Sequence, residues 1–406
     1  MQKFTCGRQV LPYLQQLYGR KNMQEVERYD LVLNEFKQKY GYDSAYLCSS
    51  SGRVEFIGNH TDHNGGRVVG CTVSLDIIAA FCPNGKNEIN VVGTGRSEIN
   101  VKLDDNANPL TGSEGLIKGV VEYLLSQGYN VGGFDAYTDS TVPSGAGVSS
   151  SAAFETAIGV IISELFNEGR IPVETLARAG QYAECEYFDK PCGLLDQSVV
   201  AAGGFVALDF ADGLSYNTVD ADFSKLQLVL IDNGVSHSNL SPLYAAIPAE
   251  MKDVAAFFGK ERLIEIDEKT FFEHYDDVQK TVGLRPALRA KHFYEENRRV
   301  DEIKLALSSG DVDKTLELVN ASGDSSLYQL QNCAVDDKDT AIEDIIHAAR
   351  GLTHSAARVH GGGFAGTVLC VIPTANAADF IAKTTEIYGS DKVLPLRLRT
   401  VGAKVL

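Results

Sequence analysis

The chain has 406 residues, longer than one hydrophobic core usually serves, so two lobes are expected. Hydrophobic residues make up 44% and charged residues 22%, the mixture of an ordinary globular protein rather than a disordered one. A net charge of −17 repels a phosphate backbone and argues against nucleic acid as a partner, and any anionic ligand would need local cationic or backbone N–H groups.

In chain order, residues 6–41 read as two helical stretches. Val26, Tyr29, Leu33 and Phe36 recur at helical spacing in the second, and Gly41 ends it. The period then changes. AYLCSSSGRVEFIG, RVVGCTVSLDIIAAF, EINVVGTG and EINVKLDD read as strands, punctuated by Gly, Asn and Asp. A helix over 113–128 and a strand in GGFDAYTDS follow, then two apolar-rich helices over 148–167 and 172–189. FVALDF and LQLVLID read as strands. Helices are expected near 242–258, 285–309, 311–320 and 338–350, then a strand at TVLCVIP, a helix near 376–388 and a last strand at VLPLRLRTVG. Strands and helices cluster rather than alternate strictly, which predicts an α+β fold. The lobe boundary is expected near 210–225, giving an N-terminal lobe over 1–215 and a C-terminal lobe over 216–406.

The opening MQKFTCGRQVLPYLQQLYGRKN lacks the apolar centre and small-residue cleavage site of a signal peptide. No apolar run is long enough to span a bilayer, so no membrane partner is expected. The eight cysteines are scattered, without a C-x-x-C pair or zinc spacing. Free thiols in a reducing compartment, and hence a cytoplasmic protein, are the simplest reading.

Three stretches concentrate chemistry. In VPSGAGVSSSAAFETAIGVII, Pro143, Gly145 and Gly147 form a turn, with Ser149, Ser150 and Ser151 at the start of a helix. Glycines admit close approach of the main chain to an anion, and helix N-terminal N–H groups point at it. The lysine of the common P-loop is absent, and a Gly-rich turn with a serine cap reads equally well in isolation. In GRVEFIGNHTDHNGGRV, Arg53, Asn59, His60, Asp62, His63 and Asn64 crowd together after a strand. Asp and Asn suit paired hydrogen bonding to a sugar, although a polar Asx turn is the plain alternative. In ARVHGGGFAGTVLCVIP, Gly361, Gly362 and Gly363 enter a strand, which suggests close backbone approach or merely a flexible turn. Asp196, among Leu194, Leu195, Val199 and Val200 in KPCGLLDQSVVAAGG, reads as a candidate general base or as an ordinary cap or turn residue.

Taken together, these stretches resemble the galactokinase branch of the GHMP kinase superfamily. Its signature, roughly GRVNLIGEHTDYNGG, is GRVEFIGNHTDHNGG here. Its nucleotide loop P-x-x-x-G-L-S-S-S-A is PSGAGVSSSA, its GGGFGG is GGGFAG, and its CGIMDQ is CGLLDQ. RPALRAKHFYEENRRV resembles a further family stretch, and all come in family order between about residues 44 and 370.

The resemblance implies a two-lobed α+β fold with the active site between the lobes, and transfer of the ATP γ-phosphoryl group to the anomeric hydroxyl of galactose. Asp196 matches the catalytic aspartate and Arg53 its arginine partner. Glu184 matches the Mg²⁺-ligating glutamate, beside Ser151 or its neighbour Ser150 from the nucleotide loop. His60, Asp62, Gly193 and Tyr244 match sugar-contacting positions, and Asn59 occupies another. An arginine beside an aspartate favours the ionised carboxylate and weakens it as a base, so Asp196 acts as base or as electrostatic anchor.

Four departures bear on the sugar. Asn59 replaces a glutamate, His63 a tyrosine, Ile247 and Pro248 an arginine pair, and Ala365 a glycine. The alternatives are a 1-kinase for an N-acetylhexosamine or a pentose, a catalytically silent sugar sensor, and a GHMP kinase for a non-sugar alcohol. The sensor is disfavoured because Ser149–Ser151, Glu184, Arg53 and Asp196 are all present. The HTDHN segment disfavours the last.

Overall fold

The computed structural model describes residues 1–104, 112–143, 147–188, 192–234, 240–336, 339 and 341–406. Two sheets organise the chain. The larger contains β1 (Tyr46–Ile57), β2 (Arg67–Pro83), β3 (Glu88–Gly93), β4 (Ile99–Lys102), β5 (Phe134–Ser140), β6 (Phe205–Asp209) and β7 (Ser215–Val219). The smaller contains β8 (Leu226–Asp232), β9 (Ala356–Val359), β10 (Thr367–Pro373) and β11 (Val393–Leu396) in the order β11-β8-β10-β9, and β12 (Lys404–Val405) returns to the larger sheet beside β1. The larger sheet runs β12-β1-β2-β5-β3-β4, with β6 on β2 and β7 on β6. Pairing is antiparallel except between β3 and β5. Sheets of this mixed kind with separately clustered helices agree with the α+β expectation.

The helices are α1 (Leu14–Tyr18), α2 (Met23–Tyr40), α3 (Gly112–Ser126), α4 (Ser150–Phe166), α5 (Val173–Phe188) and α6 (Leu195–Ala202), followed by α7 (Ser241–Phe257), α8 (Glu268–Glu273), α9 (Tyr275–Thr281), α10 (Leu284–Ser309), α11 (Val312–Ser325), α12 (Ala341–Leu352) and α13 (Thr374–Tyr388). Local chemistry sets their ends. Asn22 caps α2 by accepting the Gln24 N–H at 3.1 Å, and Gly41 closes it in the left-handed region.

β1 is buried almost throughout because α4 and α6 pack on it and the second sheet closes over its end, so the alternation of a half-exposed strand is missing. Its pairing with β2 is interrupted between Ser51 and Arg53 and again between Glu55 and Ile57. Such bulges re-aim side chains next to sites. One core joins the sheets: Val54 and Phe56 of β1 share a cluster with Leu228 and Leu230 of β8 and with Val300 and Ile303 of α10. The chain crosses from the first sheet to the second between Val219 and Leu226.

Two expectations need correction. The strand expected through VLPLRLRTVG stops at Leu396, and the short β12 follows it. Beyond Leu396 the Arg397 carbonyl accepts the Ser74 N–H at 2.8 Å, and the Arg399 N–H donates to Thr72 O at 3.0 Å, so the chain leaves one sheet for the other. The fully buried Arg399 guanidinium donates to Ser49 Oγ at 2.6 Å and to Gly402 O at 2.8 Å, which anchors the tail. The second correction is α6. The sequence reading assigns no helix there and leaves Asp196 as a general base, cap or turn residue, yet Leu195–Ala202, without a side-chain cap, form the helix that carries it.

Candidate functional site

The three chemical stretches and the start of α6 meet at the end of β1. Arg53 donates from Nε to Asp196 Oδ1 at 2.8 Å, with Nη2 2.7 Å from the same oxygen. Its Nη1 donates to Gly147 O at 2.5 Å. The other Asp196 oxygen accepts from the Ser149 hydroxyl. Arg53 is therefore a buried hub between the serine-rich loop and α6, while the Asp196 side chain keeps 33% of its exposure. Ser149 precedes α4 with φ 60° and ψ 59°, a left-handed conformation that strains a serine just before a helix start, where the first N–H groups have no partner within the helix. Ser151, in the first turn of α4, donates its hydroxyl to Glu184 Oε1 in α5. Ser150 opens α4. Pro143 lies just before this loop, and Gly145 falls outside the described residues.

The sugar-type residues gather at Gly193 and along the Gly361–Gly363 loop. Asp62 sits in a short 3₁₀ turn after β1 and lies against Gly193, where any Cβ would collide with its Oδ2. His60, at φ 57°, donates from Nε2 to Gly362 O at 2.9 Å. Tyr244 in α7 donates its hydroxyl to Gly363 O at 2.9 Å and meets Phe364 edge-to-face at 5.5 Å between centroids. Phe364 is also left-handed, at φ 58°. Each of the three motif stretches thus holds one strained non-glycine residue where it faces the others. His63 lies with Nε2 3.5 Å from Asp62 Oδ1.

Asn59 stands apart from these. Its side chain is buried, and its amide donates to Glu55 Oε1 at 2.8 Å and Gly361 O at 2.6 Å. Its oxygen accepts from Asn332 Nδ2 at 2.8 Å. The Glu55 carboxylate also takes Arg358 Nη2 at 3.0 Å. Burial raises the Glu55 pKa, and the Arg358 guanidinium offsets part of that. The Glu55 N–H donates to His360 Nε2 at 3.1 Å, so the His360 proton sits on Nδ1, which donates to Thr367 Oγ1 at 3.1 Å. Burial, and then the guanidinium groups of Arg53 and Arg358, push the His360 pKa well below its usual value and hold the ring neutral.

This polar network of Glu55, Asn59, Asn332, Arg358 and His360 pins the β1 turn to the Gly361–Gly363 loop. Only Asn59 was legible beforehand. One signal was available: the family signature carries Asn where this chain has Glu55 and Glu where it has Asn59, so the two residue types are exchanged between positions that touch.

Comparison with known proteins bears on this arrangement. Residues 34–83 match the galactokinase galactose-binding signature, and residues 115–204 match the N-terminal domain of GHMP kinases. In these two stretches the chain resembles the galactokinase branch of the GHMP kinases. A galactokinase of Clostridium tetani is 27% identical over 373 residues, spanning 89% of this chain and 93% of the relative. The structure of Lactococcus lactis galactokinase complexed with galactose superposes with a TM-score of 0.80 at 22% identity, covering 92% of this chain and 98% of that one. Methanococcus jannaschii mevalonate kinase follows at a TM-score of 0.62 and 15% identity, covering 87% and 98%. These likenesses show the GHMP kinase fold. Among the described residues no helix is long and apolar enough to cross a membrane.

Proposed function

We propose that this protein belongs to the galactokinase branch of the GHMP kinases and transfers the γ-phosphoryl group of ATP to the anomeric hydroxyl of galactose, giving galactose 1-phosphate. The observation that carries the reading is the Arg53 hub. One guanidinium touches the serine-rich loop through Gly147 and the half-buried aspartate Asp196. A terminal phosphate on that loop and a hydroxyl beside Asp196 would be neighbours.

Phosphoryl transfer through a loose transition state needs positioning and charge neutralisation more than covalent help. The N–H groups at the start of α4, together with Ser149 and Ser150, would hold phosphate oxygens. Arg53 would neutralise developing charge while orienting Asp196. Asp196 would accept the hydroxyl proton or fix the hydroxyl's direction. His60, Asp62, Gly193 and Tyr244 would shape the sugar pocket, with Gly193 keeping the space that the Asp62 carboxylate needs.

Ser151 and Glu184 already touch through hard oxygen donors, which fits Mg²⁺, an ion that takes one or two protein ligands and completes its shell with phosphates and water. When bound, the ion would neutralise phosphate charge. The eight free thiols suit a cytoplasmic setting.

The test is a panel of galactose, N-acetylhexosamines and pentoses with Mg-ATP, reading ADP release and the phosphorylated position by phosphorus NMR. Galactose turnover at C1 is expected. Turnover of another sugar with negligible galactose phosphorylation would overturn the substrate, and no ADP release with any sugar would favour the sensor.

A further inference from the structure

Cys185 and Cys192 bring their sulfurs within 3.9 Å of each other. Cys185 sits in the last turn of α5, next to Glu184, whose carboxylate holds Ser151. Cys192 precedes Gly193, which abuts Asp62, and its carbonyl accepts from Gln181 Nε2 at 3.0 Å. Both thiols are partly exposed, whereas Cys48, Cys71, Cys82, Cys333 and Cys370 are buried, so a dissolved oxidant reaches the pair and Cys6 first. A disulfide needs its sulfurs about 2 Å apart, so closing this pair takes a local approach of roughly 2 Å.

We propose that Cys185 and Cys192 are a redox-modified pair that closes to a disulfide under hydrogen peroxide and slows phosphoryl transfer. In the first step the Cys185 sulfur, as its thiolate, attacks a peroxide oxygen. The O–O bond breaks, a sulfenic acid forms, and hydroxide leaves and takes up a proton as water. The second thiol then attacks the sulfenic sulfur and releases a second water. Two electrons pass from the sulfurs to the peroxide, and a dithiol reductant reverses the change.

The bond ties the end of α5 to the residue before Gly193. It pulls on both Glu184 and the Gly193–Asp62 contact, two anchors on which the proposed reaction rests. A displacement of about 1 Å in such positioning groups costs up to about a hundredfold in rate.

The experiment treats the reduced protein with hydrogen peroxide and reads two things separately. Peptide mass spectrometry should find the Cys185 and Cys192 peptides joined, with the loss of two hydrogens. Sugar-dependent ADP release should fall about tenfold or more and return with dithiothreitol. Cys185→Ser should keep the basal rate and resist peroxide, while Cys6→Ser should behave as wild type. No joined peptide, or equal inactivation of Cys185→Ser, overturns the proposal, as does a joined peptide with an unchanged rate. A reduced protein inactive on every sugar would sink the kinase reading instead, and the mass measurement would still decide whether the disulfide forms.

Discussion

Replacing Asn59 by aspartate tests whether this residue serves the inter-segment network or the sugar. The substitution keeps size and shape but exchanges an amide nitrogen for a carboxylate oxygen 2.8 Å from Glu55 Oε1 and 2.6 Å from Gly361 O. Two carboxylates at that separation repel by about 6 kcal/mol at an effective dielectric constant of about 20. Protonating one is cheaper. At pH 7 it costs about 4 kcal/mol, since the pH stands about three units above an ordinary carboxyl pKa and each unit is about 1.4 kcal/mol. The lost hydrogen bond to Gly361 adds about 1 kcal/mol.

The total is about 5 kcal/mol. With about 2.1 cal/mol/K of unfolding entropy per residue, a chain of 406 residues then melts roughly 6 °C lower. The sign with pH is set by the extra proton. The folded variant keeps it, whereas the unfolded chain releases it above about pH 4, so the variant loses stability as pH rises. The deficit should shrink to about 2 kcal/mol at pH 5. Thermal unfolding of both proteins at pH 5, 6 and 7 measures this. A variant that melts with the wild type at pH 7, or a gap that is the same at pH 5, refutes the network argument. A raised KM for galactose with an unchanged melting temperature would place the Asn59 side chain against the sugar.

Two further substitutions probe the hub. Asp196→Ala removes the group beside the proposed hydroxyl, so turnover should drop by about 10²–10⁴ while the Kd of a non-hydrolysable ATP analogue stays near the wild-type value; unchanged turnover would refute the role. Gly193→Ala puts a methyl group into the Asp62 carboxylate, and overpacking of this kind costs about 1–3 kcal/mol. The KM for galactose should rise roughly tenfold with little change in the KM for ATP, and equal changes in both would count against Asp62 and Gly193 lining the sugar pocket.

Much of this molecule is written locally in its residues. The periodicity of Val26, Tyr29, Leu33 and Phe36 marks α2, and the apolar strand runs mark β1, β2 and β10, because burial of one face or both leaves its imprint on neighbouring positions. Arg53, Asp196, Ser149–Ser151 and Glu184 could be singled out by motif alone. Their joining through Arg53 could not, since Arg53 and Asp196 lie 143 positions apart and only packing brings them together.

The same limit explains what was missed. α6 is short and uncapped, and is held in place by contacts with α4, α5 and β1 rather than by its own propensity. β11 ends at Leu396 because Arg397 and Arg399 find their hydrogen-bond partners in the other sheet. Asn59 reads as a sugar-contacting position from its place in the motif, and the fold engages both of its amide hydrogens and one lone pair of its oxygen with Glu55, Gly361 and Asn332. Residue types and spacing decided which chemistry this chain can carry. Which polar atoms are consumed inside the protein, and which are left facing a ligand, is a question of distance between remote segments, and that only the folded arrangement of the two sheets answers.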